Sequence, residues 1–255
     1  MKPENSNTHF KSIGIIGFGA FGRLIAAHIA PHFQVLAYDP RQDLEADASR
    51  LGVMLTSLSK AAGCDVVVVS TPVTTCQAVF ADIARHCRPG ALIIDVGSVK
   101  VKPAEIMERL LPVHVDIVAT HPLFGPQSAQ NGIKGLKIAI CPLRGRAHWR
   151  LAAFLRQQLG LKVILTTPHD HDREVATVQG LTHLIAKVLL EMGPLPTRMT
   201  TLSFDLLVQA VSMVQHDAPE VFDAIENLNP YAVDVRKRFF ELAHELDQEL
   251  RSEAP

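Results

Sequence analysis

The chain has 255 residues, 47% hydrophobic and 20% charged, which is enough apolar material for a sizeable core, and its length suits two domains if each takes about 100 to 200 residues. With 25 Lys and Arg against 26 Asp and Glu, a net charge of −1, and aromatic residues at only 5%, nothing favours nucleic acid or an anionic membrane as a partner. Cys64, Cys76, Cys87 and Cys141 are widely separated and form no Cys-x-x-Cys pair, so they read as small buried thiols in a reducing compartment, the cytoplasm.

Residues 1–10 are polar, lack the apolar core of a signal peptide, and read as a short mobile lead-in. The apolar run that begins at Ile13 is interrupted by glycines, Arg23 and His28, so it does not span a membrane. It predicts a buried strand entering a Gly-x-Gly-x-x-Gly turn made of Gly17, Phe18, Gly19, Ala20, Phe21 and Gly22, which opens an amphipathic helix. Gly17 permits the tight turn, Gly19 lets the backbone approach a pyrophosphate, and Gly22 lets the helix pack close to the strand. A second strand, Gln34–Tyr38, delivers Asp39 about 20 residues on, and the combination marks a dinucleotide site. A carboxylate there binds the ribose hydroxyls of NAD and repels the extra phosphate of NADP; Arg41 leaves NADP as the alternative.

A short helix is expected over 43–51, a brief strand over 53–55, and a strand buried on both faces over 64–70, ending in Ser70, Thr71 and Pro72 at the mouth of the ligand crevice. A helix over 74–86 and a strand over 91–96 lead to Gly97-Ser98-Val99-Lys100. After a helix near 103–111, a strand over 116–121 ends in His121 and Pro122-Leu-Phe-Gly-Pro126. Two strands thus bring Ser98 and His121 to one edge. An imidazole at a strand end is suited to take a proton from an alcohol while hydride leaves for a nicotinamide, and Ser98 is able to bond the same hydroxyl. Strands over 135–141 and 161–166 flank a helix over 147–159.

No β-branched run recurs after Thr166. Helices are expected over 169–192, 199–226 and 230–251, the first with Thr167 as N-cap and Pro168 at its first position. The reading is therefore an α/β, mostly parallel dinucleotide-binding domain over 1–166 and a helical domain over 167–255. The latter is small to be stable alone and suited to packing on the first or pairing with a second copy. Gln179, Thr182 and His183 fall at i, i+3 and i+4 and share one helix face. His169-Asp170-His171-Asp172 lacks the ligand spacing of a metal site, and its acids fit a helix N-terminus, so no metal is expected.

Gly17-Phe-Gly-Ala-Phe-Gly22, Ser70-Thr-Pro72, Asp95-Val-Gly-Ser-Val-Lys100, His121-Pro-Leu-Phe-Gly-Pro126 and a helical domain beginning His-Asp resemble the arogenate/prephenate dehydrogenases, nearest their plant-like arogenate branch. The resemblance implies a Rossmann domain with a helical dimerisation domain, and oxidative decarboxylation of arogenate to tyrosine or of prephenate to 4-hydroxyphenylpyruvate. It implies that His121 takes the ring hydroxyl proton and that Ser98 bonds that hydroxyl; Ser128 is expected at the substrate, and the shared face of Gln179, Thr182 and His183 either lines the substrate pocket or forms an interdomain polar seam. Many bacterial relatives hold the substrate with an arginine of the helical domain, whereas 203–222 contain no Lys or Arg and do contain Asp217 and Glu220. An acid there suits the ammonium of arogenate, and Glu220 is the better placed by the plant-like pattern. Plant relatives carry a Ser-Arg pair where Asp39 stands and favour NADP, so Asp39 departs from them. A 3-hydroxy acid dehydrogenase or imine reductase would place a Lys or Asp in the long interdomain helix, which holds only Lys187, off the Gln179 face. A non-catalytic nucleotide-binding module is a third reading.

Overall fold

The structure, a computed structural model, describes residues 10–252. The polar lead-in lies outside these residues apart from Phe10. In chain order the elements are β1 (Ser12–Ile16), α1 (Ala20–Ile29), β2 (Gln34–Tyr38), α2 (Glu45–Arg50), β3 (Met54–Leu55), α3 (Leu58–Ala62) and β4 (Val66–Val69). There follow α4 (Cys76–Ala84), β5 (Leu92–Asp95), α5 (Val101–Leu110), β6 (Asp116–Pro122), β7 (Lys137–Arg144), α6 (His148–Gln157) and β8 (Lys162–Leu165).

The strands form one eight-stranded sheet in the order β3-β2-β1-β4-β5-β6-β7-β8. All neighbours are parallel except β6 and β7, so the last two strands run against the rest. Val66 to Val69 are all buried because helices cover both faces: Val66 and Val68 join one apolar cluster, Val67 and Val69 the other. Strand alternation carries the same division into β5 and β6. It places Asp95 and His121 on the face of Val67 and Val69, the face that α4 and α5 cover. The order reverses between β1 and β4, where the Gly17 turn and Ser70 meet: the Gly17 N–H donates to the Tyr38 carbonyl (2.8 Å) and the Ser70 N–H to the Ile16 carbonyl (2.7 Å).

From Pro168 onward the described residues are helical: α7 (Pro168–Val175), α8 (Leu181–Glu191), α9 (Leu202–Val214), α10 (Pro219–Asp223) and α11 (Ala232–Ser252). Thr167 caps α7 by accepting the Asp170 N–H, and Pro168 follows it, as expected. Two five-residue π-turns, Ala176–Gly180 and Ala224–Leu228, interrupt the helical register and pack on each other. The continuous helix expected over 199–226 is instead two pieces. α9 ends at Val214, and Ala218 is extended (φ −61°, ψ 144°) because Pro219 follows it. Helix α3, which the sequence reading lacks, starts at Ser57, whose hydroxyl accepts the Lys60 N–H. No described helix is long and apolar enough to cross a membrane.

Candidate active site

The glycine turn is built for an anion. Gly17 has φ +93°, and a Cβ on Gly22 would lie 2.2 Å from the Gly17 carbonyl oxygen, so α1 seats on β1 only because both are glycine. A Cβ on Gly19 would meet only the Arg41 guanidinium, at 3.9 Å; the helix start lacks a side-chain cap, and the first turn of α1 holds no acid. The unpaired N–H groups of that turn suit a pyrophosphate. Thr71, beside Gly17, keeps a buried hydroxyl without a hydrogen-bond partner, flanked by half-buried Ser70 and exposed Pro72. Phe18 is fully buried, whereas Ala20 and Phe21 lie at the rim. These residues fit a dinucleotide.

Asp39 stands at the end of β2 as expected, but Arg41 is committed to it. The guanidinium donates to both carboxylate oxygens (2.9 and 3.0 Å), and the Phe18 and Arg41 N–H groups donate at 2.8 and 3.1 Å. Burial opposes ionisation of Asp39, yet these donors outweigh it and hold the carboxyl below its ordinary value. Arg41 is thereby turned toward Asp39 and is not free-standing beside the turn.

His121 is the buried centre. Its Nδ1 is 2.8 Å from His171 Nε2, and its Nε2 faces the Gln179 amide nitrogen at 3.4 Å. His171 Nδ1 is 2.7 Å from Asp172, whose carboxylate accepts the Lys100 N–H (2.7 Å) and the Val101 N–H (2.8 Å) at the start of α5. The Lys100 ammonium is fully buried, pairs with Asp95, and donates to the Thr120 carbonyl (2.5 Å) next to His121. Burial pushes the His121 pKa well below the ordinary imidazole value, and the Lys100 ammonium, or any positive charge on His171, acts in the same direction. The imidazole is therefore neutral near pH 7.

The expected pocket residues separate. Gln179, at the end of the first π-turn, reaches His121, and its amide oxygen is buried without a partner. His183 joins it, with Nδ1 2.9 Å from the Gln179 carbonyl and Nε2 3.2 Å from Asp217. Thr182 instead bonds the Val178 carbonyl of its own helix (2.7 Å). Ser128 closes its own loop by bonding Gly125. Ser98 occupies the half-buried turn after β5, with no hydrogen bond to any described residue. Glu220 is exposed in the first turn of α10. Asp217, in the turn before Pro219, is instead the acid that reaches His183.

Both partners of His183 are oxygens, so protonating the ring lets both of its nitrogens donate, and the site favours the imidazolium. Burial alone would lower its pKa, but the Asp217 bond, the Gln179 carbonyl and the charges of Asp217 and Glu226 raise it. Stability from this group is fully present below pH 6.5, the unfolded value, and is lost as pH rises through the raised folded value. Asp217→Asn should return the His183 titration, followed by histidine NMR, to 6.5 or below; an unmoved titration would refute the pairing.

Two contributors escape a sequence reading, and a third is named there without being preferred. Lys100 follows a strand, where a cation is ordinarily solvated. Asp170 bonds Thr167 and Arg173 at the helix start as first-turn acids do, but Asp172 is fully buried. One signal was present: Asp172 lies at i−3 and i−4 to Val175 and Ala176, on the apolar stripe of α7. Asp217 was visible but not separable from Glu220. His169 bonds Tyr231 (2.9 Å) and takes no part.

A family model described as "Prephenate dehydrogenase, nucleotide-binding domain" matches residues 28–165, from the last residues of α1 to the end of the sheet. The chain is 28% identical to arogenate dehydrogenase 1, chloroplastic, of Arabidopsis thaliana over 89% of its own length and 37% of that protein's. It is likewise 28% identical to arogenate dehydrogenase 2, chloroplastic, of the same plant, over 93% of its own length and 69% of that protein's. Its fold matches the crystal structure of prephenate dehydrogenase from A. aeolicus in complex with hydroxyphenyl propionate and NAD+ with a TM-score of 0.77, at 20% identity, covering 97% of this chain and 93% of the other.

Proposed function

The chain belongs to the prephenate dehydrogenase family, and from that premise we propose that it is an NAD-dependent arogenate dehydrogenase, converting arogenate to tyrosine and carbon dioxide. The observation that carries the reading is the neutral, buried His121, set on the sheet edge that bears the glycine turn and facing Gln179 through Nε2. Gly17 to Gly22 and Thr71 would hold the dinucleotide diphosphate, with Asp39 at the ribose, and a bound nicotinamide would supply the acceptor for the hydride of the ring carbon that bears the hydroxyl. His121 Nε2 takes the hydroxyl proton, and Ser98 bonds the same oxygen. The ring carboxylate then departs as carbon dioxide, its electron pair completes the aromatic ring, and His121 returns the proton to the phenolic oxygen. The protein thus ends in its starting protonation state.

Substrate preference follows from His183 and Asp217. The imidazolium attracts the side-chain carboxylate of either acid, whereas Asp217 draws the ammonium that only arogenate carries. Prephenate, with a keto group there, is the second reading, since His183 serves it equally. Steady-state kinetics with arogenate and prephenate, each with NAD and NADP, test this directly. Arogenate with NAD should give the highest kcat/KM, and no reduced nicotinamide from either acid would sink the proposal.

Asp39 sets cofactor choice by facing the ribose and by occupying Arg41. Asp39→Ser should free the guanidinium and raise the NADP-to-NAD ratio of kcat/KM by about ten- to hundredfold, the worth of one charge-assisted contact. An unchanged ratio would remove Asp39 from that role.

The helical part, residues 167–255, is assigned to closing the site and to pairing two copies. α9 buries only Val211 and α11 only Ala232, while Leu202, Leu206, Phe240, Leu246 and Leu250 lie exposed. A second copy of the chain covers such a face most simply. Sedimentation should show a dimer at micromolar concentration; a monomer throughout would contradict it. Four buried, separated thiols, those of Cys76 and Cys141 pushed up to about 12 by burial, suit a reducing compartment, and the cytoplasm is the proposed location.

A further inference from the structure

We infer that His171 and Asp172 are positioning residues that fix the tautomer of His121, placing its proton on Nδ1 and leaving Nε2 bare toward the substrate side. The inference rests on the reading of His121 as the base.

The Asp172 carboxylate accepts two backbone N–H groups, from Lys100 and Val101, and its Oδ1 also meets His171 Nδ1 at 2.7 Å. A carboxylate with that surrounding acts as an acceptor, so His171 carries its proton on Nδ1. The relay takes His171 as neutral, its Nε2 then a lone pair 2.8 Å from His121 Nδ1, which donates to it; a cationic His171 would reverse this bond and put the His121 proton on Nε2. Neutral His121 has one ring proton, so Nε2 has none. The Gln179 amide nitrogen, 3.4 Å away, is the partner such a lone pair would have. Reversing one ring sets two N–H groups or two lone pairs against each other where His121, His171 and Asp172 are 4%, 4% and 0% exposed. The ring planes cross at 67°, a geometry that allows one in-plane bond and no stacking.

The same carboxylate fixes the other half of the site. By capping the start of α5 it holds the Gly97–Lys100 turn that bears Ser98, while through His171 it orients His121. A third contact, from Asn229 Nδ2 to the Asp172 carbonyl (2.8 Å), holds α7 in place. The titratable groups around the pair are Asp95 from the end of β5, Lys100 from the start of α5, Asp172 from α7, and Cys141 from β7. As His121 takes the substrate proton on Nε2, the new positive charge lies one imidazole away from Asp172 and is stabilised through it.

Two measurements on the full-length chain test this. Long-range 15N–1H correlation spectra of histidine-labelled protein at neutral pH should show His121 protonated on Nδ1 and bare on Nε2. His171→Phe should lose that single tautomer. In kinetics, His171→Gln should lower kcat by about 10²-fold, leave KM for the substrate within about threefold, and displace the acid limb of the kcat/KM profile; a merely structural role would lower the active fraction and leave that limb in place. A wild-type His121 protonated on Nε2, or a His171→Gln enzyme with unchanged kcat and pH profile, overturns the inference. If the variants fail to fold, the wild-type spectrum alone decides. A wrong tautomer with normal turnover would sink the relay and spare the proposed reaction. No turnover with the stated tautomer would do the reverse.

Discussion

Replacing His121 by asparagine is expected to lower kcat by about 10²- to 10⁴-fold, the range for loss of a positioned general base and about 3–5 kcal/mol in the barrier. Cofactor binding, read by fluorescence titration, should change little, because the glycine turn lies on β1 and makes no contact with this side chain. Asparagine keeps a donor for His171 Nε2, so the loss reports proton transfer more than packing. A variant that retained full kcat would dismiss His121 as the base. The wild-type pH profile adds a signed expectation. Since burial holds the His121 pKa well below 6.5, the acid limb of kcat/KM attributable to this group lies below 6.5. Folding follows the same sign. The unfolded chain binds the His121 proton more readily, so this stability is present above pH 6.5 and declines as pH falls toward the depressed folded value. Thermal melts of wild type and His121→Asn should therefore converge in mildly acidic buffer and diverge above it.

The largest effect on stability should come from Lys100→Met. The ammonium is fully buried, and its removal leaves Asp95, 1% exposed, with only the Gly97 N–H (3.0 Å) and a long Thr120 N–H contact (3.3 Å). Breaking a buried pair from one side costs about 3–5 kcal/mol because the remaining charge is uncompensated, and for a chain of this size that lowers Tm by roughly 10 °C. The double change Asp95→Asn with Lys100→Met should recover part of the loss. A single-variant cost under about 1 kcal/mol would show that solvent reaches Asp95, against the burial described. The coupling matters for chemistry, since Lys100 also holds the Thr120 carbonyl beside His121.

Much of the sheet is legible in the sequence because a strand covered on both faces has to be apolar throughout. The β-branched runs around Val66–Val69 and Leu92–Asp95 announce themselves for that reason, and the glycine turn does so because only glycine satisfies φ +93° at Gly17 and the contact at Gly22. The edge that carries His121 and Ser98 follows from strand order. The centre built on it does not. Whether Asp172 caps its own helix or reaches across to α5 depends on how α7 packs, and no local pattern encodes that beyond its place on an apolar stripe. The π-turn that carries Gln179 to His121 is likewise a product of packing, since Ala-Thr-Val-Gln-Gly reads as ordinary helix. Pro219 was legible as a helix breaker, and weighing it more heavily would have separated Asp217 from Glu220.

His121 lies on the sixth strand, yet its imidazole partner follows 50 residues later, and the side chain that holds Asp172 by its carbonyl lies 57 residues beyond that acid. A chain leaving the ribosome therefore completes its glycine turn and all eight strands before the base has anything to orient it. In the proposed reaction the parts that would hold the nucleotide are therefore synthesised first and the parts that would orient the proton acceptor last.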